Sequence, residues 1–188
     1  MTEPTVIVVM GVTGAGKSTV GRLLAERQGW RFVDADDLHS PANVARMHQG
    51  IPLTDADRGP WLNRLAALVS DLIARHEPAV IACSALRRSY RRRIAGGHAR
   101  VCFVHLDTPT RVIRERLRTR AGHFAPAELL DSQLDTLEPP AREEHAITLR
   151  STGSPIEIVH RIEHDLGLPS PHTDERAGRS VSREAPAP

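Results

Sequence analysis

Lysine is nearly absent from this chain. Lys17 is the sole lysine, so 24 of the 25 Lys and Arg residues are arginine. Aromatic residues are scarce as well, at 3%. That leaves few rings on which nucleic-acid bases could stack. The run of Arg87, Arg88, Arg91, Arg92 and Arg93 is therefore weak support for a nucleic-acid partner. Small anionic substrates account for it equally well, and a solvated helix face accounts for most of it better than either. The two cysteines, Cys83 and Cys102, both lie in apolar runs. They read as small buried hydrophobes in a reducing compartment, not as a disulfide or metal framework. No apolar run reaches membrane-spanning length. The stretch before the first apolar run is too short for a signal peptide and carries Glu3. These absences lead us to expect a cytoplasmic protein without a membrane partner. With 188 residues and 40% hydrophobic content, one domain with a proper core is expected.

The single lysine sits in Gly11-Val12-Thr13-Gly14-Ala15-Gly16-Lys17-Ser18. This is G-x-x-x-x-G-K-S, the Walker A phosphate-binding loop. A slim ammonium can follow the β- and γ-phosphates as a point charge, whereas a planar guanidinium prefers fixed bidentate partners. The preceding run Val6-Ile7-Val8-Val9-Met10 is apolar throughout, as in a strand buried on both faces. Val20, Leu23 and Leu24 after it share one helical face. The glycines thus fall at a strand-to-helix turn, where main-chain N–H groups can close around phosphate oxygens. Gly11, Thr13, Gly14, Ala15, Gly16, Lys17, Ser18 and Thr19 are the candidate nucleotide-binding residues, with Ser18 a ligand for Mg²⁺.

Strand patterns at about 5–10, 31–34, 79–83, 100–106 and 146–149 alternate with helical patterns at about 17–28, 41–49, 57–75, 86–95, 110–120, 126–137 and 155–166. This alternation predicts an α/β fold of three layers, α/β/α, around a five-stranded parallel sheet. Residues 1–168 form the expected domain. Residues 169–188, rich in Pro, Ser, Arg and Glu without apolar periodicity, read as a disordered tail.

Asp34-Ala35-Asp36-Asp37 follows the second strand, at the edge where ligands gather in parallel sheets. Read as extended chain, alternation aims Asp34 and Asp36 to one side and Asp37 to the other. One carboxylate can hold Mg²⁺ through water, and the other can accept a hydrogen bond from an attacking hydroxyl. We assign Asp34 to the metal and Asp36 to the hydroxyl, although on sequence alone the two can exchange roles. The third strand ends without a carboxylate, so the usual second acidic residue of motor-type ATPases is missing. That points towards a small phosphotransferase.

Four further segments resemble the gluconokinase family of P-loop sugar-acid kinases. They are Asp34-Ala35-Asp36-Asp37-Leu38-His39, Pro52-Leu53-Thr54-Asp55-Ala56-Asp57-Arg58-Gly59-Pro60-Trp61-Leu62, Cys83-Ser84-Ala85-Leu86-Arg87-Arg88-Ser89-Tyr90-Arg91 and Arg120-Ala121-Gly122-His123-Phe124. With the phosphate loop, the resemblance spans about residues 5–168. It implies a P-loop kinase fold like that of the nucleoside-monophosphate kinases and related to shikimate kinase, with a lid at about 116–138. It further implies transfer of the γ-phosphate of ATP to the 6-hydroxyl of D-gluconate, and a homodimer. Within that frame Lys17, Asp36 and Arg120 are the catalytic candidates. Arg116 and Arg120, one helical turn apart, would bring positive charge to the migrating phosphoryl group. Arg58 is the first choice for clamping the gluconate carboxylate, with Arg88 or Arg91 sharing that task. His39 and Ser84 are candidates for sugar hydroxyls. His123 matches the family pattern, and Gln133 would reach back to the site. A shikimate kinase or another small-molecule P-loop kinase is the alternative reading.

Overall fold

The computed structural model describes residues 4–49, 51, 53–119 and 127–170. Its elements run β1 (Val6–Met10), α1 (Lys17–Gln28), β2 (Arg31–Asp34), a 3₁₀ turn (Ala35–Leu38), α2 (Pro41–His48), α3 (Asp55–Ala74), β3 (Ala79–Ala82), α4 (Arg88–Ala95), β4 (Val101–Asp107), α5 (Thr110–Thr119), α6 (Ala127–Thr136), β5 (Ala146–Arg150) and α7 (Pro155–Leu166). The five strands form one parallel sheet in the order β2-β3-β1-β4-β5. β1 therefore lies at the centre.

The unbroken apolar run of β1 follows from this position. Side chains alternate across a strand. Ile7 and Val9 enter one core with Leu24 of α1 and Ile162 of α7. Val6, Val8 and Met10 enter the other, with Leu65 and Val69 of α3 and Ile94 of α4. All five β1 residues are fully buried. Each such aliphatic side chain stabilises the fold by about 1.5–3 kcal/mol relative to exposure. Helices on both faces complete the expected three layers.

Two local readings change. The acidic segment after β2 is not extended but coils into the 3₁₀ turn, because the Asp34 carboxylate accepts the Asp36 N–H at 3.2 Å and caps it. The alternation expected across Asp34–Asp37 therefore does not apply. Helix α3 begins at Asp55, two residues before the sequence reading placed it. Thr54 and Asp57 form a reciprocal capping box there, each side chain accepting the other's backbone N–H. The apolar stripe that marks this helix starts only at Trp61, so periodicity alone does not find the cap. Arg120, Gly122 and His123 in the expected lid lie outside the described residues, as does the expected tail from residue 171 onwards.

Candidate active site

The phosphate loop leaves β1 and enters α1 in left-handed backbone. Gly14 has φ +74°, and a Cβ there would lie 2.8 Å from Ile113 Cγ2. Gly16 has φ +101° and forms the N-cap of α1. A side chain at either position would strain the backbone, and at Gly14 it would also collide with α5. The turn leaves the α1 N-terminus open as an anion site. Lys17 Nζ donates to Val12 O at 3.0 Å across the loop.

Ser18 Oγ donates to Asp34 Oδ2 at 2.9 Å, so the residue after the lysine and the first acid of the β2 segment face one another. Two hard oxygen donors in this pairing fit a magnesium ion that keeps most of its water and phosphate ligands. Asp36 is exposed, yet protein crowds around it, and this desolvation pushes its carboxyl above the ordinary range. The Lys17 charge opposes the rise, while Asp34 and Asp37 add to it. Asp36 is thus more basic than an ordinary aspartate and sits within the field of Lys17. Cys83, buried at the end of β3, feels Asp36, Lys17 and Asp34 together, and burial raises its thiol to about 12. It stays an un-ionised thiol lining the floor.

Beyond the acidic pair, the wall is built from the 3₁₀ turn, α3 and the turn after β3. Trp61 Nε1 donates to Ala35 O at 2.7 Å, and the His39 ring stacks on Trp61 with centroids 4.5 Å apart. A buried indole needs a partner for its N–H, and here that need ties α3 to the acidic turn. Burial, followed by the charges of Arg58 and Arg64, lowers the His39 pKa to about 4. His39 is therefore neutral at physiological pH and can both donate to and accept from hydroxyl groups. Its buried Nδ1 has no partner among the described residues.

Ser84 O accepts the Gly11 N–H at 3.3 Å, which joins the turn after β3 to the start of the phosphate loop. The next residue, Ala85, has φ +44°, a strained value for a residue with a Cβ. A buried guanidinium holds this turn. Arg91, 1% exposed, donates through Nη1 to Ala85 O (3.1 Å), Leu86 O (3.2 Å) and Glu138 O (2.9 Å). Its Nε and Nη2 grip Glu144 at 2.6 and 2.8 Å. This corrects the expectation that Arg91 shares in binding a substrate carboxylate, since its donors are engaged inside the protein. Arg88 pairs with Glu143 at 2.8 Å.

Arg58 takes another course. Its Nη1 reaches Tyr90 Oη at 3.3 Å and Asp55 Oδ1 at 3.4 Å. Arg87 Nη1 donates to Asp55 Oδ2 at 2.7 Å. Arg93 contacts Asn63. Four of the five clustered arginines are thus tied to Asp55, Glu143, Glu144 and Asn63, which explains the cluster without a nucleic acid.

Arg116, in the last turn of α5, donates to Ala15 O at 3.1 Å. It borders a cavity of about 230 Å³ that lies between Thr19 and Arg116 on one side and Ser151, Gly153 and Ile158 on the other. The cavity adjoins the loop after β5. Gln133 Oε1 accepts the Thr13 N–H at 2.7 Å, so it meets the phosphate loop from α6. The structure therefore brings together Lys17, Ser18, Asp34 and Asp36, and next to them His39, Arg58 and Ser84, with Arg116 and Gln133 against the loop. Arg120 and His123 lie outside the described residues. Sequence reasoning missed Trp61, Tyr90, Asp55 and Arg87 as parts of this wall. The signal was available for Tyr90: a phenol on the buried side of an arginine-rich helix needs a polar partner.

Comparison with known proteins gives four findings. A family model described as an AAA domain matches residues 6–140. A gluconokinase of Gluconobacter oxydans is 46% identical over 160 residues, covering 85% of this chain and 90% of its own length. Among solved structures, a gluconokinase from Sinorhizobium meliloti superposes with a TM-score of 0.78 at 44% identity, covering 88% of this chain and 93% of the other. A shikimate kinase from Acinetobacter baumannii, with a TM-score of 0.57 at 24% identity, shares the fold and covers 87% of this chain and 94% of its own.

Proposed function

The chain belongs to the gluconokinase family, and on that premise we propose that it transfers the γ-phosphoryl group of ATP to the 6-hydroxyl of D-gluconate, giving 6-phospho-D-gluconate. The observation that carries this reading is the meeting of Lys17, Ser18, Asp34 and the basic Asp36 at the carboxyl edge of β1 and β2. Phosphoryl transfer needs alignment and charge neutralisation more than covalent help. The amides of Gly14, Gly16, Lys17 and Ser18, with the Lys17 ammonium, hold the β- and γ-phosphates. Ser18, and Asp34 through water, would hold a Mg²⁺ ion, which would supply neutralisation of phosphate charge. Asp36 orients the 6-hydroxyl and takes its proton as the oxygen attacks phosphorus. The raised pKa suits that task, because a more basic carboxylate accepts a hydroxyl proton more readily. His39 and Ser84 bind hydroxyls along the sugar chain, and Arg58 receives its carboxylate. Arg116, which donates to Ala15 O, and Arg120, outside the described residues, are assigned to bring positive charge to the migrating phosphoryl group as parts of a lid over 116–138. Lid closure would exclude water that otherwise hydrolyses ATP. Gln133, held on Thr13, places α6 at the same loop, and His123, outside the described residues, is assigned to the acceptor. In this reading residues 1–168 are the kinase domain, 169–188 are an accessory tail, and the protein works as a cytoplasmic homodimer.

The test is a coupled ADP-release assay with gluconate, shikimate and nucleoside monophosphates as acceptors. ADP release is expected to be stimulated by gluconate and not by the others. Turnover with shikimate and none with gluconate would sink the assignment. Within the same assay, Asp36→Asn is expected to lower kcat by about 10²–10⁴-fold, the usual weight of a positioned general base. KM for ATP should stay within about twofold. A loss confined to ATP affinity would instead place Asp36 at the metal.

A further inference from the structure

Two guanidinium groups and a phenol converge on one exposed carboxylate at the far end of the acceptor wall. Asp55, in the first turn of α3, accepts from Arg87 Nη1 at 2.7 Å, from Arg58 Nη1 at 3.4 Å and from Tyr90 Oη. Both guanidinium carbons lie over the Tyr90 ring, 5.9 Å from its centroid for Arg58 and 5.8 Å for Arg87. Tyr90 itself is buried. The three elements α3, α4 and the turn after β3 thus present two cations side by side.

We propose that Arg87 joins Arg58 as a second arm of the seat for the acceptor's carboxylate, and that Asp55, with Tyr90, is the positioning residue that sets the two arms. This rests on the reading that the acceptor is a sugar acid. Among the described residues, both guanidinium groups make their hydrogen bonds through Nη1. Their Nε and Nη2 edges have the fork geometry that takes a carboxylate in bidentate fashion. Charge supports the same conclusion. Two cations and one resident anion leave a single positive charge, which matches one carboxylate and gives a neutral polyol nothing to satisfy. Location supports it too. Arg58 precedes Trp61 by three residues on α3, about 4.5 Å along the axis, and Trp61 carries His39 and anchors the acidic turn. An acid stretched along this wall would have its carboxylate at Arg58 and Arg87 and its far hydroxyl towards Asp36.

The experiment compares gluconate with glucitol, which has the same carbon chain with an alcohol in place of the carboxylate. Steady-state kinetics would be measured on the full-length protein and on Arg87→Gln, Asp55→Asn and Asp55→Glu. In Arg87→Gln the preference for gluconate over glucitol in kcat/KM is expected to fall about tenfold or more, with KM for ATP unchanged. In Asp55→Asn, KM for gluconate should rise several-fold while kcat holds, and Asp55→Glu should recover part of the loss. A merely structural role would lower activity towards both acceptors together and leave the preference alone. An unmoved preference in folded Arg87→Gln, or a parallel rise in KM for ATP, overturns the proposal while leaving the gluconokinase reading intact. A wild-type protein that does not phosphorylate gluconate overturns both.

Discussion

Lys17→Ala is expected to lower kcat by at least about 10²–10³-fold, the scale of removing one preorganised donor from a developing negative charge. The thermal midpoint should hardly move, because Lys17 makes a cross-loop bond to Val12 O rather than a core contact. Lys17→Arg should recover little of the activity. The guanidinium is broader, and the loop around residue 17 is drawn tight by left-handed glycines, with Gly14 closed in by Ile113. The measurement is single-turnover phosphoryl transfer at saturating ATP, alongside thermal melting. Activity within about threefold of wild type in Lys17→Ala would remove the lysine from the mechanism.

The largest effect on stability is expected at Arg91. Arg91→Met keeps much of the side-chain length but removes five hydrogen bonds. It leaves Glu144, whose carboxylate is 9% exposed, without its counter-ion. Breaking a buried ion pair from one side costs about 3–5 kcal/mol. For a protein of this size each kcal/mol lowers Tm by about 2–4 °C, so a fall of roughly 6–20 °C is expected. The double change Arg91→Met/Glu144→Met should regain a good part of that, since no charge is then stranded. The hydrogen bond from Arg91 is the main cause that holds the Glu144 carboxyl below its ordinary pKa of 4.5. The pair therefore contributes fully above the unfolded-state pKa and fades as pH falls through the folded value. The Tm gap between wild type and Arg91→Met should narrow in acid. A gap under about 2 °C at neutral pH, or one that widens in acid, would show that the pair is not holding the turn after β3.

The contrast between Arg91 and Arg87 shows where sequence reading stops. Both arginines belong to one short helical segment, and composition does not tell them apart. Arg91 is fully buried because α4 turns that residue towards the carbonyls of the strained Ala85 turn, and a distant glutamate has to come to it. Glu144 is 53 residues away in the chain, so no local pattern announces the pair. The phosphate loop was legible because its chemistry is local: eight consecutive residues set strand end, turn and helix start. The strands and helices were legible to within about two residues for the same reason. The acidic segment was readable as carboxylates placed after β2 but not as a 3₁₀ turn, because the decisive interaction is a side chain capping nearby backbone. Asp55 escaped notice because its partners come from α3, α4 and the turn after β3, which only the sheet order brings together.

In the proposed reaction Asp34 touches both halves. One oxygen receives the hydroxyl of Ser18 and the other the amide of Asp36. Donor and acceptor ends therefore share a single pivot, and neither is adjustable in isolation. A change at residue 34 meant to alter cation preference would also swing Asp36, the proposed proton acceptor, out of line. Redesign for another alcohol has to work from the α3 side and leave this pivot in place.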